Sequence, residues 1–193
     1  MRIVAGTLKG RGIVVPKGDD LRPTSDRVRE AIFNVLAHGI DDFELAGATV
    51  LDLFAGTGAL SFEALSRGAH SAVLVEISPS ARAAIQENVA NLGVGGITRI
   101  FRRDATSLGK AQGRERFSLV LADPPYGKGL AETALASALA GGWLEPRAIV
   151  VVEESAETPF APPSPLVEID RRQYGGTTVV FARLPAGAEA RTP

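Results

Sequence analysis

The hydrophobic positions of the chain fall into three textures. Residues 2–15, RIVAGTLKGRGIVV, hold two short β-prone runs around a glycine-punctuated middle, which predicts a hairpin or extended arm rather than a helix. After a linker, PKGDDLRP, the apolar residues Val28, Ala31, Ile32, Val35 and Leu36 recur at the spacing of one buried helical stripe. Thr24 or Ser25 caps that helix and Gly39 marks its end. Phe33 lies off the stripe and is expected to pack rather than to meet a substrate.

From residue 48 short aliphatic runs alternate with helical patterns: ATVLDLF, GALSFEALSRG, SAVLVEI, PSARAAIQENVANLG, then ITRIF, FSLVLA and AIVVVEE. Near-continuous aliphatic strands separated by helices predict parallel strands buried on both faces, because right-handed crossovers lay helices over each side. In LVEIDRRQYGGTTVVFARL two strands meet across Gly175 and Gly176, so an antiparallel hairpin closes one sheet edge. The expectation is an α/β fold with a seven-stranded, mostly parallel sheet, an antiparallel closing hairpin and a small N-terminal β-hairpin arm. Its divisions are an arm and linker over 1–23, the main domain over 24–184 and a tail over 185–193.

Composition narrows the chemistry. At 193 residues, 45% hydrophobic, the chain can bury a sizeable core without staples. It has no cysteine and only two histidines, His38 and His70, so disulfides, thiolate zinc and most histidine-built metal sites drop out, and no metal is expected. No apolar run has signal-peptide or membrane-span length, which gives a cytoplasmic expectation with no membrane partner. The net charge of −1 argues against a uniformly basic surface. Residues 1–17, however, carry Arg2, Lys9, Arg11 and Lys17 without an acid, a local +4 that leaves the remainder at −5.

VLDLFAGTGAL places Gly56 and Gly58 directly after a strand and at the mouth of a helix. Glycines there admit a ligand close to the backbone, and the helix start offers unpaired N–H donors. The dinucleotide pattern is incomplete, since Ser61 stands where a third glycine would be. Glu76 follows Gly56 by 20 positions, the spacing at which a carboxylate meets a ribose hydroxyl. Asp52, just before the glycines, would repel a diphosphate and welcome a cation. S-adenosylmethionine fits, having a ribose, an adenine, a sulfonium and an ammonium but no phosphate. Asp104, after ITRIFRR, can accept from the adenine amine. Taken singly, each acid also reads as an ordinary polar stop at a strand end.

FSLVLADPPYG carries a second constellation, Asp123, Pro124, Pro125 and Tyr126. Prolines lack an N–H, so this rigid turn presents acceptors with few competing donors. An exocyclic amine of guanine or adenine has two N–H groups for the Asp123 carboxylate and a carbonyl, that of Pro124. Those bonds free the nitrogen lone pair for attack on a methyl carbon, and Tyr126 offers a face for an unstacked base. The plainer reading is a strand-ending turn with a packed tyrosine.

LDLFAGTGAL, Glu76, Asp104 and DPPY, in that order, resemble the motifs of Rossmann-like class I S-adenosylmethionine-dependent methyltransferases acting on amino groups. RIVAGTLKGRGIVV with LRPTSDRVREAIFNVL further resembles the RsmD-type family, bacterial enzymes that methylate guanine N2 in 16S, small-subunit, ribosomal RNA; the likeness runs from Arg2 to about Leu184. The resemblance implies that Asp52, Gly56 and Gly58 hold the methionine portion of the cofactor, Glu76 the ribose and Asp104 the adenine. Phe54, Ala55, Thr57, Ile77 and Ala105 join that set, and Asp123, Pro124, Pro125 and Tyr126 form the catalytic one. It implies an RNA grip by Arg2, Lys9 and Arg11, to which Arg22 and Lys128 are added. The partner would be small-subunit RNA or an assembling 30S subunit, met by a monomer. The SFEAL segment after Gly58 departs from the family pattern and carries no expected role. Two alternatives are an adenine-N6 methyltransferase of DNA or RNA and a non-enzymatic Rossmann-type nucleotide-binding module.

Overall fold

The computed structural model describes residues 1–16, 25–113 and 115–187. Lys17, Arg22 and Thr24 therefore lie outside the described residues, and with them the linker. The helices are α1 (Asp26–His38), α2 (Ala59–Ser66), α3 (Pro79–Leu92) and α4 (Leu130–Ala140). The strands are β1 (Thr49–Asp52), β2 (Ser71–Val75), β3 (Thr98–Phe101), β4 (Phe117–Ala122), β5 (Leu144–Ser155), β6 (Val167–Tyr174) and β7 (Thr177–Arg183). They form a seven-stranded sheet in the order β3-β2-β1-β4-β5-β7-β6. No described helix is long and apolar enough to cross a membrane. The chain divides into two compact units, Met1–Arg102 and Arg103–Pro193.

In the first unit β1, β2 and β3 run parallel, with Val50 opposite Ala72 and Val73 opposite Arg99. The aliphatic run of β1 is buried through Asp52. Ser25 caps α1: its hydroxyl accepts from the Val28 N–H at 3.2 Å. Phe33 is fully buried, with the Arg67 guanidinium 5.2 Å from its ring centre. Helix α2 is buried along its whole length, although three of its eight residues are polar. Its polar residues Ser61, Glu63 and Ser66 are consequently forced to find partners.

Two of the three, Glu63 and Ser66, find them in the N-terminal segment. An antiparallel bridge joins Arg2 to Gly12, and the Ile3 N–H donates to Arg11 at 3.0 Å, giving the expected hairpin. Glu63 accepts from the Val4 and Ala5 N–H groups at 2.8 and 3.0 Å, and Ser66 accepts from Leu8 N–H at 2.9 Å. Gly6, at φ +82°, touches α2 so closely that a Cβ there would sit 1.9 Å from the Ser66 carbonyl oxygen. The arm is thus bolted to the helix. Fully buried Arg29 completes the joint, donating to the Arg2 carbonyl and to Asp26, with Glu63 at 3.5 Å.

In the second unit β4 and β5 are parallel, with Leu119 opposite Ile149 and Ala122 opposite Val152. β7 then runs antiparallel to β5, and β6 antiparallel to β7 across Gly175 and Gly176. Two features were not read from sequence. β5 begins at Leu144, four residues before the aliphatic run that announces it. Helix α4, LAETALASALA, is so rich in alanine that no apolar stripe stands out against a polar face.

Candidate active site

The first unit carries the glycine turn. β1 delivers Asp52 to its carboxyl end, where the side chain is 1% exposed. Ser61 Oγ donates to Asp52 Oδ2 at 2.7 Å, while Oδ1 is buried without a hydrogen-bond partner. Burial, and after it the charge of Glu76, push this carboxyl up to about 7, against the pull of the Ser61 bond. Such a group is short of one thing, a positive charge.

Past Asp52 the chain passes half-buried Phe54 and buried Ala55, then turns through Gly56 at φ +55°, buried Thr57 and Gly58 at φ +81° into α2. The two glycines differ. A Cβ on Gly58 would lie 2.5 Å from a ring carbon of Phe62, so tight packing demands glycine there. A Cβ on Gly56 would meet nothing within 4 Å, which leaves its backbone open to a ligand. Glu76, at the end of β2, braces the turn: it accepts from the Gly56 N–H at 2.9 Å and the Ser78 N–H at 2.7 Å. Each carboxylate oxygen keeps a second lone pair for a hydroxyl. Ile77 beside it is 61% exposed, an unusual position for a large aliphatic side chain.

Sequence reasoning missed Asn88. It is fully buried on α3, donates to the Thr57 carbonyl and the Val14 carbonyl, each at 3.1 Å, and accepts from the Val14 N–H at 2.7 Å. One amide therefore ties the glycine turn to the N-terminal arm. Ser61, passed over as a missing glycine, is the donor that Asp52 uses, so SFEAL does carry roles after all.

The second unit carries Asp104 and the turn after β4. Asp104 caps the short turn Ala105–Ser107, accepting from the Thr106 N–H at 2.8 Å and its hydroxyl at 2.7 Å. Those two bonds hold its carboxyl below the ordinary aspartate value. Ala105 is buried beneath it. Of the neighbouring arginines, Arg103 donates to the Leu108 carbonyl at 2.8 Å.

The turn after β4 places Asp123 half-buried, Pro124 buried, Pro125 exposed and Tyr126 half-buried. Tyr126 donates its hydroxyl to Glu153 Oε1 at 2.7 Å, and Thr177 Oγ1 lies 3.4 Å away. Burial, the Glu153 carboxylate and that of Asp123 raise the phenol well above its ordinary value, so it stays neutral. Glu154 accepts from the Gly127 N–H at 3.1 Å. Lys128 is exposed one residue further on, as are Arg2, Lys9 and Arg11 on the arm, although Arg2 donates to the Gly10 carbonyl and Arg11 to that of Asn91. Among the described residues no group of three or more metal-ligating side chains stands together.

A parallel sheet with acids and a glycine turn at the strand ends, closed by antiparallel β7, has the class I methyltransferase fold. An RNA methyltransferase of Salinibacter ruber, solved with S-adenosyl-L-homocysteine, shares that fold at 16% identity, with a TM-score of 0.65 over 86% of this chain and 95% of that one. The chain belongs to the family described as Conserved hypothetical protein 95, whose model matches residues 1–183. It is 40% identical over 157 residues to Ribosomal RNA small subunit methyltransferase D of Escherichia coli K12, covering 81% of this chain and 76% of that protein. With the Haemophilus influenzae protein of the same name it shares 34% over 165 residues, 84% and 83% of the two chains. The solved structure of yhhF from Escherichia coli matches with a TM-score of 0.81 at 33% identity, over 96% and 98% of the two chains.

Proposed function

We propose that the protein transfers a methyl group from S-adenosylmethionine to the exocyclic N2 amine of a guanine in small-subunit ribosomal RNA. The names of its relatives support the RNA class, and the residues support the chemistry. The observation that carries the reading is the acceptor-rich turn Asp123–Tyr126, which has no N–H on Pro124 or Pro125 to compete with a guest amine.

The glycine turn suits the cofactor. Asp52 has a buried oxygen without a partner and a carboxyl that a nearby cation would hold fully ionised at neutral pH. Open Gly56 and exposed Ile77 leave backbone and apolar surface for a nucleoside. Asp52, Gly56 and Gly58, with Phe54, Ala55 and Thr57, would hold the methionine portion, Glu76 and Ile77 the ribose and its surroundings, and Asp104 and Ala105 the adenine. When bound, the cofactor supplies a methyl group activated by a positively charged sulfur.

The protein's own part is orientation and acceptance of hydrogen bonds. Asp123 and the Pro124 carbonyl take the two amine N–H groups, which localises the lone pair on nitrogen. Tyr126 gives the base a face to lie on. Arg2, Lys9, Arg11 and Lys128 meet RNA phosphates, and Arg22 is assigned with them from sequence. The deciding experiment incubates the protein with labelled S-adenosylmethionine and small subunits lacking the mark, then digests the RNA to nucleosides. N2-methylguanosine is the expected product. N6-methyladenosine would replace guanine with adenine, and no transfer to RNA, naked or assembled, would end the reading.

A further inference from the structure

Two consecutive buried carboxylates, Glu153 and Glu154, stand at the end of β5 and belong to none of the motifs discussed above; they are 4% and 2% exposed. Burying two negative charges costs several kcal/mol each unless bonds compensate, so a turn needing only shape would be held by apolar side chains. The register supplies the reason. Ala122 lies opposite Val152, so Glu153 and Glu154 follow in step with the first residues after β4. Neighbours on a strand point to opposite sides, and the two glutamates take different parts of the turn. Glu153 takes the Tyr126 hydroxyl at 2.7 Å and Glu154 the Gly127 N–H at 3.1 Å. Thr177, the first residue of β7, reaches the same phenol at 3.4 Å.

We infer that Glu153, with Thr177, is a positioning residue that fixes the Tyr126 ring by its hydroxyl and so sets the plane on which the target base lies. The inference rests on the methyl-transfer reading above and adds a role for the closing hairpin. A phenol whose only proton is given to a buried carboxylate has no donor left for RNA; what it offers is an aromatic face in one orientation. Because Glu153 and Thr177 come from antiparallel neighbours, β5 and β7 brace the substrate platform as well as extend the sheet.

The test is a double-mutant cycle on methyl transfer with Glu153→Ala, Tyr126→Phe and the two combined, together with Glu153→Gln, with melting temperatures for all. A lost bond to a charged acceptor should lower kcat about tenfold in each single variant. S-adenosylmethionine affinity and the KM for RNA should stay within about twofold, because the base is held at the wrong angle rather than lost. The double variant should be no worse than either single one, and Glu153→Gln, which keeps an acceptor, should recover most of the rate. Multiplying losses, or an unchanged kcat in Glu153→Ala, would overturn the inference. Should Glu153→Ala fail to fold, Tyr126→Phe decides, and its full activity would overturn it. Failure of the unaltered protein to methylate any RNA would instead bring down the methyl-transfer reading, and this inference with it.

Discussion

The glycine turn after β1 and the proline turn after β4 are made receptive in opposite ways. At Gly56 the side chain is missing, which opens the backbone to a ligand even though Glu76 takes its N–H. At Pro124 and Pro125 it is the N–H that is missing, which leaves acceptors. The first turn is conformationally loose by composition and is stiffened from outside, by Glu76 on Gly56 and Asn88 on Thr57. The second is stiff by composition, yet Glu153 and Glu154 still hold its far end. Whether the side chain or the N–H is removed decides what kind of guest a turn takes, and a neighbouring acid then fixes where the turn sits.

If the proline turn is the chemical half, Asp123→Ala should lower kcat by about a thousandfold or more while leaving S-adenosylmethionine affinity nearly intact, measured by isothermal titration. Parallel losses of rate and cofactor binding would erase the distinction between the turns. The next effect strikes the helix that the glycine turn opens. Glu63→Ala leaves buried Arg29 with exposed Asp26 as its carboxylate and removes the acceptor of Val4 and Ala5. It should destabilise the protein by about 3–5 kcal/mol in urea unfolding. A loss under about 1 kcal/mol would show that the arm is not anchored there.

Asp52 distinguishes the turns by pH. Its folded carboxyl is raised to about 7 from 3.8, so the folded state binds a proton more tightly than the unfolded chain does. Stability from this group is complete below about pH 4, declines between about 4 and 7, and is gone above. Asp52→Asn should therefore stabilise the ligand-free protein at pH 8, by on the order of 3 kcal/mol, and weaken cofactor binding. In the unaltered protein S-adenosylmethionine affinity should rise about tenfold per pH unit up to about 7 and then level, with proton release on binding. An affinity flat from pH 5 to 8 would place the cationic group elsewhere.

Most of the parallel strands were legible because they are compact aliphatic runs that end at glycine or an acid, and the terminal hairpin because Gly175 and Gly176 interrupt two β-prone segments. Asp52, Glu76, Asp104 and Asp123 could be picked out because strand ends line up their positions. What the sequence hid were the residues that hold these in place. Glu63 serves the backbone of Val4 and Ala5, Asn88 that of Val14 and Thr57, and Glu153 a phenol 27 positions away. A buried carboxylate or amide that bonds a distant backbone has no periodicity or spacing to betray it. Ser61 was misread for a related reason: judged by a glycine pattern, it counts as a defect, whereas the nine-residue loop back to Asp52 makes it a donor.

The smallest effect concerns a region that belongs to neither turn. Lys9 is exposed in the bend of the N-terminal hairpin, and the bonds of Leu8 and Thr7 to Ser66 set where that bend lies. If the hairpin faces RNA, the Lys9 ammonium would act on it as a point charge, indifferent to base identity. Lys9→Ala should raise the KM for RNA only about two- to fivefold near physiological salt and make the slope of log affinity against log salt shallower by about 0.7 to 0.9. Both kcat and S-adenosylmethionine affinity should be untouched, since the charge meets phosphate and neither turn. An unaltered salt slope would remove Lys9 from the RNA-facing surface, and a fall in kcat would mean that the arm reaches the chemistry through its Asn88 tie to Thr57 rather than gripping RNA alone.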